Sequence, residues 1–272
     1  MLNVFTLERL KSNRLKNGIS GSTVNRDLGF LRSALTKAVE WGVVSENPLK
    51  SLKLVKVPDD KIVRYLDEQE ESNLLSALDA REESKRAARD RFNIWQQERH
   101  MPVLPSLRDV KFTDHIKPMV LLSLHTGMRQ GEVFKLAWTD VDLSASRVKV
   151  RGVNAKSGKA RFIPLNAVAL QALKDWRSQC NESANLVFPS KDGDKLDNVK
   201  TAWSGLLKAA KIAEFRWHDM RHHFASRLVM SGVDLNTVRE LLGHADLKMT
   251  LRYAHLGNEF KADAVERLVR AA

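Results

Sequence analysis

Hydrophobic positions along this chain recur mainly at helical spacing, and the pattern breaks at few places. From Glu8 to Trp41 it is helical. A basic segment reaches Asn17, Gly-Ile-Ser-Gly interrupts it, and a second run capped by Thr23 sets Leu28, Leu31, Leu35 and Val39 on one face. Pro48 and the charged KVPDDK stretch at 56–61 then mark an interdomain linker. Residues 1–57 are therefore predicted to form a small helical domain, marginal alone and short enough to be part of a larger module. After the linker, LDEQEESNLLSAL predicts a helix whose acidic first turn suits the positive end of the helix dipole. Residues around 80–112 are densely charged, with few apolar positions (Phe92, Ile94, Trp95), and predict a solvated helical insertion. IKPMVLLSLHTG at 116–127 predicts a buried helix ending at Gly127. RVKV and RFIPL, on either side of RGVNAKSGKA, alternate like two short strands around a flexible basic turn. From Leu165 onward the pattern is helical again. The expected fold is mainly α with a small antiparallel β-sheet, in a second domain spanning 58–272.

Composition narrows the function. Lys and Arg number 45 against 33 Asp and Glu, giving a formal net charge of +12. Cations spread along the chain imply a polyanionic partner, and nucleic acid fits best. The single cysteine, Cys180, excludes an intrachain disulfide and a thiolate zinc cluster, and fits a reducing compartment. No apolar run reaches membrane-spanning length and the first residues lack a signal-peptide pattern, so the expected location is cytoplasmic, with no membrane partner.

The densest candidate chemistry is HDMRHH at 218–223. Taken as a helix from Trp217, the apolar stripe is Trp217, Met220, Phe224 and Leu228, while His218, Arg221 and His222 share the adjoining face and Asp219 and His223 point elsewhere. His218 and His222 have the i, i+4 spacing of helical zinc ligands, but a permanently charged Arg221 beside them repels a dication. Guanidinium forks, imidazole donors and a helix start suit phosphate better. Further on, Asp234 caps a helix bearing Leu235, Val238, Leu241 and Leu242. Gly243 ends it, His244 follows, and Tyr253, one of two tyrosines, comes nine residues later.

These segments resemble the tyrosine recombinases, the group of phage and mobile-element integrases. The resemblance rests on TGMRQGE (126–132), AKSGKARFIPL (155–165), HDMRHHFAS (218–226), LLGH (241–244) and LRYAHL (251–256), in order and at agreeing spacing. It implies a tyrosine recombinase catalytic domain preceded by a helical, SAM-like core-binding domain. It also implies a catalytic set of Arg129, Lys156, His218, Arg221, His244 and Tyr253, with Lys159 a neighbour of Lys156 on the same basic turn. Glu132 matches the Arg-x-Gly-Glu element and is expected to brace the arginine.

In that set Tyr253 attacks a DNA phosphodiester to give a 3′-phosphotyrosine. The two arginines bind nonbridging oxygens, His218 accepts the phenolic proton, His244 donates to phosphate and Lys156 protonates the departing 5′ oxygen. The resemblance implies no cofactor or metal. Its implied partners are double-stranded DNA, other protomers in a tetramer on paired sites, and accessory DNA-bending proteins. The position of the last segment and the spacing of Phe260, Val265 and Leu268 predict a tail helix that docks on a neighbour or packs on its own domain. Two alternatives remain open at this point: a nicking-closing topoisomerase with related chemistry, and a basic DNA-binding regulator without catalysis.

Overall fold

The computed structural model describes residues 3–57, 63–154, 158–181, 184–257 and 265–266. The chain forms two compact units, Met1–Ile62 and Val63–Ala272. Most of the expected linker lies outside the described residues, as does the expected tail helix except for Val265 and Glu266.

The first unit pairs α1 (Val4–Lys16) with α2 (Gly21–Glu40). Ser20, not Thr23, is the second cap: its backbone is extended and its hydroxyl accepts the Thr23 N–H. Leu7, Val24 and Leu28 pack with Leu49 and Leu52 in a small core. Arg32 holds the returning chain by donating to the carbonyls of Leu49 and Leu52.

In the second unit the acidic-start helix and the charged segment are a single helix, α3 (Glu68–Gln97), opened by a capping box of Asp67 and Glu70. Nothing between Ala80 and Gln97 is Gly or Pro, so nothing breaks it. Its charges are also less solvated than the pattern suggested. Glu82, 2% exposed, accepts from the Thr113 N–H and hydroxyl. Arg81 pairs with Asp114, Arg86 donates to the carbonyls of Leu107 and Lys111, and Arg108 bridges Glu83 and Asp90. The charge density binds the returning chain to the helix.

Past α3 come α4 (Ile116–Thr126) and α5 (Gln130–Phe134), then β1 (Val141–Asp142), β2 (Arg147–Val150) and β3 (Arg161–Pro164), an antiparallel sheet in the order β1-β2-β3. Register pairs Val148 with Ile163, so Val148, Val150 and Ile163 enter the core while Lys149 and Phe162 face out. Two-residue β1 is too short to leave a periodic signal. The remaining helices are α6 (Ala167–Gln179), α7 (Lys200–Ala209), α8 (Asp219–Met230) and α9 (Leu235–Leu242), followed by 3₁₀ turns at Leu247–Met249 and Leu251–Gly257. Apolar α4 packs against both α6 and α8. A second, smaller core gathers Val63, Ala225, Val229, Val238, Leu242 and Tyr253. Among the described residues no helix is long and apolar enough to cross a membrane.

Candidate active site

Three helix ends meet where the candidate residues lie. α4 stops at Gly127, whose φ of 60° is the left-handed conformation that favours glycine. A Cβ there would meet the Phe224 ring at 2.5 Å, so the close packing of α8 also requires glycine. Two residues on, Arg129 is extended and caps α5. Its N–H and guanidinium both donate to Glu132, at 2.8 and 3.0 Å. Arg161 at the start of β3 grips the other side of the same carboxylate at 3.1 and 2.8 Å and donates from Nε to the Leu241 carbonyl at the end of α9. Burial pushes the Glu132 carboxyl upward, but Arg161 and Arg129 hold it below its ordinary range. Glu132 does brace the arginine, and it braces two.

Replacing this shared carboxylate leaves two guanidinium groups without their partner in a site where Glu132 is 1% and Arg161 8% exposed by side chain. Glu132→Ala is expected to cost roughly 3–5 kcal/mol, read as a lowered urea midpoint with little change in slope. Glu132→Gln keeps hydrogen-bonding capacity and should lose less.

Arg221, 3% exposed, is anchored at both ends of its fork: Nη1 donates to the Gly127 carbonyl at 2.8 Å and Nη2 to the Leu242 carbonyl at 2.5 Å. Both acceptors lie at helix C-termini, where the dipole favours a cation. Burial, reinforced by Arg129, lowers its pKa to about 9, leaving it charged at neutral pH. Leu242 is also where α9 ends. Gly243 takes φ 65° with its N–H bonded to the Glu240 carbonyl, and the His244 N–H bonds to the Arg239 carbonyl. His244 Nδ1 is fixed 2.9 Å from the buried Thr250 hydroxyl. Burial, then Arg221 and Arg129, lowers the His244 pKa to about 3.

Tyr253 stands on the last 3₁₀ turn, 1% exposed. Its hydroxyl lies 2.6 Å from Nδ1 of His222. Burial raises its pKa, while Arg221 and Arg252 act in the opposite direction. His218 is exposed, with its ring edge-on to His222 at 5.2 Å between centroids. Burial of part of the ring and the charge of Arg221 lower its pKa.

The structure thus brings Arg129, His218, Arg221, His244 and Tyr253 together, each within electrostatic reach of at least one other. Lys156 lies outside the described residues; Lys159 is described and exposed. His223 is buried and faces away from Tyr253, accepting the Leu66 N–H at 3.3 Å with Nε2 3.7 Å from Glu71. α8 is more buried than its expected stripe: Asp219, Arg221, His223 and Ser226 are all below 4% exposure. Sequence reasoning assigned no role to His222, although it stood on the right face. It passed over Arg161, whose one signal was a cation opening an otherwise apolar strand. Among the described residues no group of three or more His, Cys, Asp and Glu side chains is placed to hold a metal ion.

Charged forks flanking a tyrosine hydroxyl, with imidazoles beside it, define a site suited to nucleophilic attack on an anionic phosphoester. The comparisons agree. Residues 106–259, more than half of the chain, match the phage integrase family. Tyrosine recombinase XerC of Xanthomonas axonopodis pv. citri (strain 306) is 29% identical over 245 residues, covering 89% of this chain and 70% of its own length. The integrase of Salmonella phage P22 is 27% identical over 245 residues, covering 84% of this chain and 52% of its own length. In fold, the Tn1549 transposon integrase in complex with a circular intermediate DNA superposes with a TM-score of 0.71 at 20% identity, over 98% of this chain and 85% of that one. The chain belongs to the phage integrase family, the tyrosine recombinases, and is a DNA strand-exchange enzyme.

Proposed function

We propose that this protein is a site-specific recombinase or integrase that cleaves and rejoins duplex DNA through Tyr253. The phenolic oxygen bonds to phosphorus, the bond from phosphorus to the 5′ oxygen breaks, and the phenolic proton leaves as the 5′ oxygen gains one. Arg129 and Arg221 bind the nonbridging oxygens, where negative charge grows, with forks that stay charged throughout. In the set that the resemblance implies, His218 takes the phenolic proton, His244 donates to the same oxygens and Lys156 protonates the departing 5′ oxygen. The 3′-phosphotyrosine conserves the energy of the broken bond, so a second 5′ hydroxyl reverses the step without a cofactor.

One observation carries the reading: the buried Arg221, fixed between two helix ends, lies within electrostatic reach of Arg129, His244 and Tyr253. The excess of cations fits a DNA partner, whose binding should weaken steeply with salt. Recombination joins paired sites, which calls for several protomers, a tetramer, on DNA, with DNA-bending accessory proteins as further partners. A nicked suicide duplex incubated with the protein is expected to give a covalent adduct that maps to Tyr253. An adduct at another residue, or none on DNA carrying the target site, would reject the reading. Relaxation of supercoiled plasmid without site preference would favour the topoisomerase alternative.

A further inference from the structure

We propose that His222, rather than His218, holds the Tyr253 nucleophile and accepts its proton during attack. The proposal rests on Tyr253 being the nucleophile. Its basis is the 2.6 Å approach of Nδ1 to the phenolic oxygen, with the two rings 5.9 Å apart at 47°. Among the described residues no hydrogen bond joins His218 to Tyr253; the His218 ring abuts that of His222 instead. Arg221, the neighbour of His222 on α8, is tied to Gly127 and Leu242, so the backbone that carries His222 is fixed by the same anchor that fixes the phosphate-binding fork.

To accept from a phenol, Nδ1 must be bare, which puts the ring proton on Nε2. The surroundings leave the ring neutral, so one of its two nitrogens is bare, and the proposal assigns that nitrogen as Nδ1. His222 faces His218, Asp219 and Arg221 on its own helix, Arg252 and Tyr253 on the final 3₁₀ turn, and His244 past α9. Burial first, then His218, lowers its pKa to about 4, with Asp219 opposing, so the ring is neutral at pH 7. Without DNA, proton transfer from the phenol is strongly uphill, and the contact keeps Tyr253 protonated and in place.

A phosphodiester between Arg129 and Arg221 changes this, because an anion within about 4–6 Å favours the imidazolium by roughly 1–3 pKa units. As the bond from the phenolic oxygen to phosphorus forms, its proton passes to Nδ1. The resulting imidazolium lies beside the anionic phosphotyrosine. On rejoining, Nδ1 returns the proton to the departing phenolate oxygen. The 5′ oxygen exchanges its proton with a separate donor, Lys156 in the proposed set. Proton acceptance is thereby coupled to substrate binding, and a site without phosphate has no competent nucleophile.

The test is single-turnover cleavage of a nicked suicide duplex by the full chain, comparing the unaltered protein with His222→Ala and His222→Asn. The asparagine amide offers an acceptor near the Nδ1 position without basicity, and supports the measurement should the alanine variant fail to fold. Both variants are expected to cleave on the order of 10²-fold more slowly near pH 7. The deficit should shrink towards pH ~9.5, as hydroxide takes over removal of the proton, and added imidazole should partly restore the alanine variant. Cleavage within about twofold of the unaltered protein, or a deficit independent of pH and of imidazole, as a packing defect would give, overturns the proposal. If the unaltered protein forms no adduct at Tyr253, the nucleophile assignment itself fails and this proposal falls with it.

Discussion

Tyr253→Phe is expected to abolish covalent attachment to DNA, a loss on the order of 10⁴-fold or more, while leaving DNA binding nearly unchanged. The substitution removes one oxygen from a ring that is 1% exposed and packed among Ala225, Val229, Val238 and Leu242. Ring packing survives. The direct cost is the hydrogen bond to His222, about 1 kcal/mol net. Affinity for DNA comes from cations that the variant retains, so a gel shift should match that of the unaltered protein, with the same salt slope. Covalent adduct resistant to detergent should disappear. Tyr65 is the other tyrosine in the chain, and an adduct that persisted in the variant would direct attention to it or to a hydroxyl elsewhere.

What the sequence revealed and what it hid divide along physical lines. Helices were legible where caps and breakers frame an apolar run: Asp234 and Gly243 bracket α9 as expected, and Gly127 ends α4. The site residues were legible because they fall in five short motifs, in order and at agreeing spacing, that resemble one family. Contacts formed after the chain returns on itself were not legible. Arg161 meets Glu132 across 29 positions and Leu241 across 80, and no local spacing encodes either. The charged second half of α3 read as solvated because its partners, Thr113 and Asp114, lie some thirty residues downstream. His222 was hidden differently: its face was correct, but its partner, 31 positions away, decided its chemistry. α8 also departs from a simple stripe, since Arg221 and His223 are polar yet buried, each satisfied by backbone groups of distant segments.

Arg221→Lys should show the second largest effect, because this guanidinium is both structural and chemical. Its Nη1 and Nη2 donate to Gly127 and Leu242, leaving the fork positioned to offer further N–H groups to a phosphate. A lysine ammonium has three donors on one nitrogen and cannot span both carbonyls and reach a nonbridging oxygen in the same geometry. Loss of one carbonyl partner in a site 3% exposed is expected to cost about 1–3 kcal/mol, and loss of the forked phosphate contact about 10²–10³-fold in cleavage. The two effects separate experimentally. Burial and the nearby Arg129 lower the pKa of Arg221 from its ordinary value to about 9. Between those values the unfolded chain binds more protons than the folded one, so this group's contribution to stability rises with pH across that window and is at its least favourable below it. At neutral pH, then, the folded protein carries a cation it would hold more easily with an anion beside it. Bound DNA supplies that anion. Duplex at one fixed free concentration above both dissociation constants should therefore raise the melting temperature of the unaltered protein more than that of Arg221→Lys. An equal rise in both would show that Arg221 is a structural cation only, and would leave Arg129 to bind the phosphate alone.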